Sequence, residues 1–277
     1  MAYDSYDKAC LFHRLPQSMS DLEMLLPGGR GVWIPIDHGL SDFPSEGLEN
    51  LEELISLLAA GGADAIVAQK GVVSAFGDLH SGHMVAHLSA STRHAGARTT
   101  DKVLVGSVEE SIRRGASGVS VQVNMGAPTE PEMIEIMGSV SEDCNLLGVP
   151  LLGMVYPRGE NLNIMEDDTT GGSAHAARLA FELGCDAVKT KWTGDIESFS
   201  LVCNSVPIPV LIAGGPAGAT THEILTIVHQ AMSAGGGGVC MGRQVFCHDH
   251  PDRMVRALRA IVHDGADVVG AMTSAGL

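Results

Sequence analysis

The stretch GVSVQVNMGAPTEPEMIEIMGSVSEDCNLLGVPLLGMVY, residues 118–156, decides the fold. It opens with a short valine-rich run (118–124) and closes with a second apolar run, PLLGMVY (150–156). Between them, residues 129–148 carry apolar positions at helical spacing. Thr129-Glu130-Pro131-Glu132 starts that helix with proline in the first turn and acids near its positive end, and Gly148 stops it. A strand, a helix and a strand in one compact segment form a βαβ unit, whose two strands run parallel.

The same alternation fills the chain on both sides. Further strand-like runs are GVWIPID (31–37), DAIVAQK (64–70), MVAHLS (84–89), DAVKTKW (186–192), PVLIAGG (209–215) and GGVCMGR (237–243), which brings the count to eight. As a set they are near-continuously apolar, as strands covered on both faces are. VLVG (103–106) reads as a ninth strand or as a spur between the third run and its helix. Amphipathic segments at 48–62, 107–116, 169–184, 220–236 and 252–265 lie between or after the runs, and most end in glycine. The small-residue stops GAD, GAS and GCD precede the second, fourth and sixth runs. Eight such units in 277 residues read as one α/β domain, a (β/α)8 TIM barrel, with a doubly wound open sheet as the rival on pattern alone. The domain is expected to span 1–277, with 1–28 as an N-terminal extension and 266–277 as a C-terminal tail; no linker divides it.

Composition narrows the function. Hydrophobic residues are 45% and charged residues 18%, which excludes a disordered chain. The net charge of −16, with 2 Trp, 3 Tyr and 6 Phe, argues against nucleic acid, which calls for basic patches and stacking rings. The six cysteines, at 10, 144, 185, 203, 240 and 247, show no CxxC spacing and read as reduced thiols of a cytoplasmic protein. The first fourteen residues lack a basic region followed by an apolar one, so no signal peptide is expected. The longest stretch without Asp, Glu, Lys or Arg, 198–222, holds three prolines and cannot span a membrane as a helix.

In a barrel the chemistry sits where strands end at their C-terminal side. Lys189 lies inside the sixth run, where burial disfavours an ammonium, and a partly neutral amine is the nucleophile of Schiff-base chemistry. Lys191, two residues on, shares its strand face and is expected to depress its pKa; spacing leaves open which of the two is the nucleophile. Gly214 and Gly215 end the seventh run, and Gly242 and Arg243 end the eighth; paired glycine turns there form the usual phosphate cup of this architecture. Asp37 and His38 at the first run and Tyr156 at the fifth are the acid–base candidates. Lys70 and Arg158, at the second and fifth, are further substrate-binding candidates. A different reading groups His80, His83 and His87, or His248, Asp249 and His250, as metal ligands. Against it, His87 falls within the third strand-like run, and His250 precedes Pro251 at a helix start.

With these residues named, the chain resembles the class I aldolases of the DeoC/FbaB family. The resemblance runs from about residue 10 to 272, on IPIDHG (34–39), QKGVV (69–73), AHLSAST (86–92), VSVQVNMG (119–126), MVYPRG (154–159), DAVKTKWTGD (186–195), VLIAGGP (210–216) and MGRQVF (241–246). It is strongest to the branch that makes aminoheptulosonates and to relatives in aminohydroxybenzoate pathways. It implies a barrel enzyme with a lysine imine and no metal or other cofactor. It assigns Lys189, not Lys191, as the nucleophile, Asp37 and Tyr156 as the acid–base pair, and Gly214, Gly215, Gly242 and Arg243 as the phosphate cup. It further implies a dihydroxyacetone phosphate-type donor, an aldehyde acceptor of the aspartate 4-semialdehyde kind, and a homo-oligomer such as a decamer; that aldehyde is a zwitterion, which a mixed set such as Arg158, Lys70 and a nearby acid is expected to hold. Three positions depart from the family pattern: Ala217 where lysine is usual, Trp192 where tyrosine is common and Gln122 where histidine is common. A fructose-bisphosphate aldolase, a metal-dependent barrel lyase and a non-catalytic sugar-phosphate sensor are the alternatives.

Overall fold

The computed structural model describes residues 16–277 except 44, 81–82, 166–168 and 217, with backbone alone for 16–20 and 163–165. Cys10, the first fourteen residues and Ala217 lie outside the described residues. Eight parallel strands close into a barrel: β1 Gly31–Pro35, β2 Ala65–Ala68, β3 Met84–His87, β4 Gly118–Met125, β5 Leu151–Pro157, β6 Ala187–Thr190, β7 Val210–Ala213 and β8 Gly238–Cys240. Six fall within the runs read from the sequence, β4 and β5 each run one residue past theirs, and closure of β1 onto β8 rules out the open sheet. The segment 103–106 is the spur: Val103–Leu104 pairs antiparallel with Ser89–Ala90 as a hairpin outside the barrel, between β3 and β4.

Alternation along each strand divides the core in two. Outward Val119, Val121, Val123 and Val188 pack under the helices, while Trp33, Val67, Val85, Met154, Ala187, Leu211 and Cys240 fill the interior. Leu25 and Leu26, from the end of the helix Pro16–Leu25, seal the floor; the Trp33 Nε1–H donates to the Leu25 carbonyl at 2.7 Å. Gly238 has no alternative here: its φ is +127°, and a Cβ would lie 2.0 Å from the Gly31 carbonyl oxygen across the β1–β8 seam. Residues 266–277, read as a tail, form the helix Val268–Ala275, capped by Asp267 and buried at Ala271 and Ala275.

At the floor, Asp64 ties three segments together. Its carboxylate accepts from Val32 N–H at 2.7 Å, Arg259 Nη1 at 2.8 Å and His263 Nε2 at 2.7 Å, fastening the last long helix, Pro251–Val262, to β1 and β2. His80 and His83 belong to the same end: they stack at 4.7 Å and donate to the carbonyls of Ala63 and Asp64. No helix among the described residues is long and apolar enough to cross a membrane.

Candidate active site

Because inward and outward residues alternate, Lys189 follows Ala187 onto the interior face of β6, level with Met154 of β5 and Leu211 of β7. Only 7% of it is exposed. Burial alone would lower its pKa, but Cys240, Tyr156 and Asp37 around the amine raise it above the ordinary lysine value. Burial pushes the Cys240 thiol up to about 11 and the Tyr156 phenol above 10.0, so both are neutral at pH 7. Of the three groups around the amine, Asp37 is therefore the anionic one at pH 7, and its charge favours the ammonium form of Lys189 against burial.

This corrects the expectation of an amine kept partly neutral by Lys191. β6 ends at Thr190, so the alternation stops before Lys191, whose exposed amine reaches the Pro157 carbonyl at 3.4 Å. Burial and Arg158 lower the Lys191 pKa, and that side chain does not set the charge of Lys189.

Asp37 follows β1 and begins the short helix His38–Ser41. Its carboxylate lies between two imidazoles, Oδ1 3.7 Å from His38 Nδ1 and Oδ2 3.8 Å from His87 Nε2. Burial works to raise its pKa, but His87, His38 and Lys189 hold it below the usual carboxylate value. His87 is almost fully buried, and burial pushes it down to about 4, so it is a neutral imidazole at pH 7. An Nε2–H facing Asp37, with Nδ1 accepting from the Ser120 hydroxyl at 2.8 Å, suits both neighbours. Burial likewise lowers His38.

Tyr156 stands at the end of β5 opposite Asn124 of β4, and the Arg158 guanidinium lies 4.3 Å over its ring. The polar inward row Ser120, Gln122 and Asn124 completes the wall: Gln122 Nε2 donates to Asn124 Oδ1, and Asn124 Nδ2 donates to the Thr100 carbonyl at 2.6 Å, pinning the spur over the mouth. Lys102, on that spur, donates to Ser91 Oγ at 2.7 Å; Asp37 attracts it and Arg158 repels it. Lys70 is drawn elsewhere: it begins the helix Lys70–Phe76 and pairs with Glu110 at 3.1 Å. Trp192 packs on Phe199, ring centroids 5.1 Å apart.

The loops after β7 and β8 are joined by Gln244 Nε2, which donates to the Gly215 carbonyl at 2.9 Å. Among the described residues the N–H groups of Gly215, Gly242 and Arg243 meet no protein acceptor, whereas the helix that follows Gly215 is closed by its own capping box, Thr220 with Glu223. A Cβ on Gly242 would lie 2.4 Å from the Pro35 carbonyl and 2.9 Å from His38 Cε1, so the backbone there runs against the Asp37–His38 turn. The Arg243 side chain is exposed beside it.

The structure thus brings Lys189, Tyr156, Asp37, His38, Arg158 and the two glycine loops to one mouth, and adds His87, Lys102 and the β4 row. His87 was legible as a strand-tip residue, since it continues the inward positions of β3, but its spacing to His80 and His83 drew it toward a metal site. Those histidines stand at opposite ends of β3, His83 by the floor and His87 at the mouth. His250 N–H donates to His248 Nδ1 ahead of the helix Pro251–Val262, and no group of three or more His, Cys, Asp or Glu among the described residues is placed to hold a metal ion.

Known proteins share both the sequence and the barrel. The model of the DeoC/LacD family of aldolases matches residues 32–248. The 2-amino-3,7-dideoxy-D-threo-hept-6-ulosonate synthase of Halobacterium salinarum is 41% identical over 253 residues, 90% of this chain and 92% of that protein. The 2-amino-4,5-dihydroxy-6-oxo-7-(phosphonooxy)heptanoate synthase of Streptomyces griseus is 37% identical over 245 residues, 88% of each. A solved Schiff-base-forming fructose-1,6-bisphosphate aldolase, studied through its reaction intermediates, superposes with a TM-score of 0.80 at 28% identity, over 89% of this chain and 100% of that one.

Proposed function

The chain belongs to the DeoC/LacD family of aldolases, and we propose on that footing that it is a class I enzyme joining dihydroxyacetone phosphate to aspartate 4-semialdehyde through an imine on Lys189. The observation that carries the chemistry is a lysine sunk into a strand end with an ionised carboxylate and a neutral phenol beside it. Asp37 takes the proton that Lys189 must shed before it attacks the donor ketone. Tyr156 protonates the carbinolamine hydroxyl, which leaves as water and gives the iminium. The tyrosinate then removes a proton from the adjacent carbon, leaving an enamine. The enamine adds to the aldehyde, Tyr156 returns its proton to the new alkoxide, and water releases the product and the free amine. The iminium is the electron sink, so the reading calls for no metal.

The relatives' product names support the choice of partners. In the S. griseus product the ketone is at C6, hydroxyls at C4 and C5, the amine at C2 and the phosphate on C7. An aldol is undone between the hydroxyl-bearing β-carbon and the α-carbon, here C4 and C5. That cut leaves dihydroxyacetone phosphate and aspartate 4-semialdehyde. The same cut in the H. salinarum product leaves the same four-carbon aldehyde, but a three-carbon piece ending in a methyl group, because C7 is deoxy. The acceptor is common to both; the donor is not. For this chain the glycine loops after β7 and β8 favour the phosphorylated donor.

With dihydroxyacetone phosphate as donor, aspartate 4-semialdehyde and glyceraldehyde 3-phosphate in direct competition, the seven-carbon amino acid is expected to prevail by at least about 10²-fold in kcat/KM, since sites that leave buried polar groups unpaired with the wrong substrate discriminate by up to about 10⁴- to 10⁵-fold. Preference for glyceraldehyde 3-phosphate overturns the choice of acceptor. Arg243→Ala is expected to raise KM for dihydroxyacetone phosphate by about 10- to 100-fold, the worth of one charge-assisted hydrogen bond, and to affect dihydroxyacetone much less. Equal effects on both donors would remove Arg243 from the phosphate cup. We extend the same reading to a cytoplasmic homo-oligomer acting on small molecules, in keeping with the family resemblance and with six cysteines that show no CxxC spacing.

A further inference from the structure

We propose that Lys102, on the spur between β3 and β4, is the specificity-determining residue that seats the carboxylate of the acceptor aldehyde, together with Arg158. The inference rests on the aldolase reading above and deepens it. In the order of strands around the barrel, the donor is fixed on one side: its imine carbon at Lys189 on β6, its phosphate at the loops after β7 and β8. The acceptor must approach the enamine from the sector bounded by β2 to β5. The spur roofs that sector, and Lys102 is its inward-facing cation.

Three contacts hold the spur in place. Asn124 Nδ2 donates to the Thr100 carbonyl at 2.6 Å, Thr129 Oγ1 donates to Asp101 Oδ1 at 2.8 Å, and Arg93 pairs with Asp42 from the loop after β1. Lys102 sits directly after the two residues held by the first pair of latches. It is half-buried, and its hydrogen bond to Ser91 Oγ uses one of three ammonium hydrogens, leaving two for a ligand. The charges it meets are those of the mouth: Asp37 attracts it, Arg158 repels it, and it disfavours a proton on His38 and His87. Among the described residues neither Lys102 nor Arg158 forms an ion pair with a carboxylate, in a chain of net charge −16. Two cations at the rim, Arg158 over the Tyr156 ring and Lys102 near enough to be repelled by it, with neither paired to a carboxylate, suit an anionic group on the incoming aldehyde. Lys70, the cation expected here from the sequence, is occupied by Glu110.

The test compares three aldehydes with one donor, dihydroxyacetone phosphate, in wild-type enzyme, Lys102→Met and Lys102→Arg. Aspartate 4-semialdehyde and succinic semialdehyde both carry the carboxylate; propanal does not. Lys102→Met is expected to lose about 10- to 100-fold more kcat/KM with either carboxylated aldehyde than with propanal, and Lys102→Arg to recover most of the loss. Borohydride trapping of the donor imine, read by intact mass, is run on each protein and separates the two levels of the argument. Absence of an imine in the wild type would strike the aldolase reading itself. A normal imine with equal loss on all three aldehydes, a loss confined to donor KM, or a wild type that takes no carboxylated aldehyde would each overturn the role of Lys102.

Discussion

Lys189→Met is expected to lower kcat on the order of 10⁵- to 10⁶-fold, because among the described residues no other lysine is buried in the barrel interior to carry the imine. Methionine keeps the length and the apolar stem of lysine and removes the charge. The ammonium is buried at the cost of its hydration, and without it the Asp37 carboxylate still has the His38 and His87 imidazoles beside it, so the loss is not expected to unfold the protein. A melting temperature close to that of the wild type, alongside lost turnover, is the expected pair of results. Lys191→Met serves as the internal control: that side chain is exposed and reaches only the Pro157 carbonyl, so kcat is expected to fall by far less. Loss of turnover in Lys191→Met with activity kept in Lys189→Met would reverse the assignment.

Tyr156→Phe is expected to lower kcat by about 10²–10⁴-fold, the usual weight of one positioned acid–base group. The variant isolates the hydroxyl, since phenylalanine retains the ring under the Arg158 guanidinium. At pH 7 the phenol is a proton donor, because burial raises its pKa from 10.0, and the residue removed is therefore an acid in the resting enzyme. The nucleophile remains, so the donor adduct is expected to form more slowly and still be trapped at long times. A kcat within about threefold of wild type would pass proton transfer to His38 or His87, which flank the Asp37 carboxylate.

The eight strands were legible because parallel strands covered on both faces leave short apolar runs bounded by small-residue stops, as GAD (62–64) precedes β2 and GCD (184–186) precedes β6. Strand tips then placed Asp37, Tyr156 and Lys189 at one mouth. The helix Ile196–Asn204 went unread although Asp195 caps it through the Ser198 N–H at 2.8 Å, because it is only 9 residues long and ends at Ser205 with no glycine stop. Lys70 misled for a different reason: its partner Glu110 is forty positions away in sequence, and no local pattern announces the pair. Lys191 was expected to face Lys189, but alternation holds only while the strand continues, and β6 stops one residue short. Lys102 stands just before the VLVG run and at no barrel strand tip, so nothing local marks it; the spur's latches to Asn124 and Thr129, among others, bring the cation over the mouth.

Borohydride reduction of wild-type enzyme with dihydroxyacetone phosphate, followed by peptide mapping, addresses the imine on Lys189 directly. The expected result is one donor equivalent per chain, carried by Lys189 and absent from the Lys189→Met protein. A reduced adduct on Lys191, or full turnover with no adduct at either lysine, would contradict it.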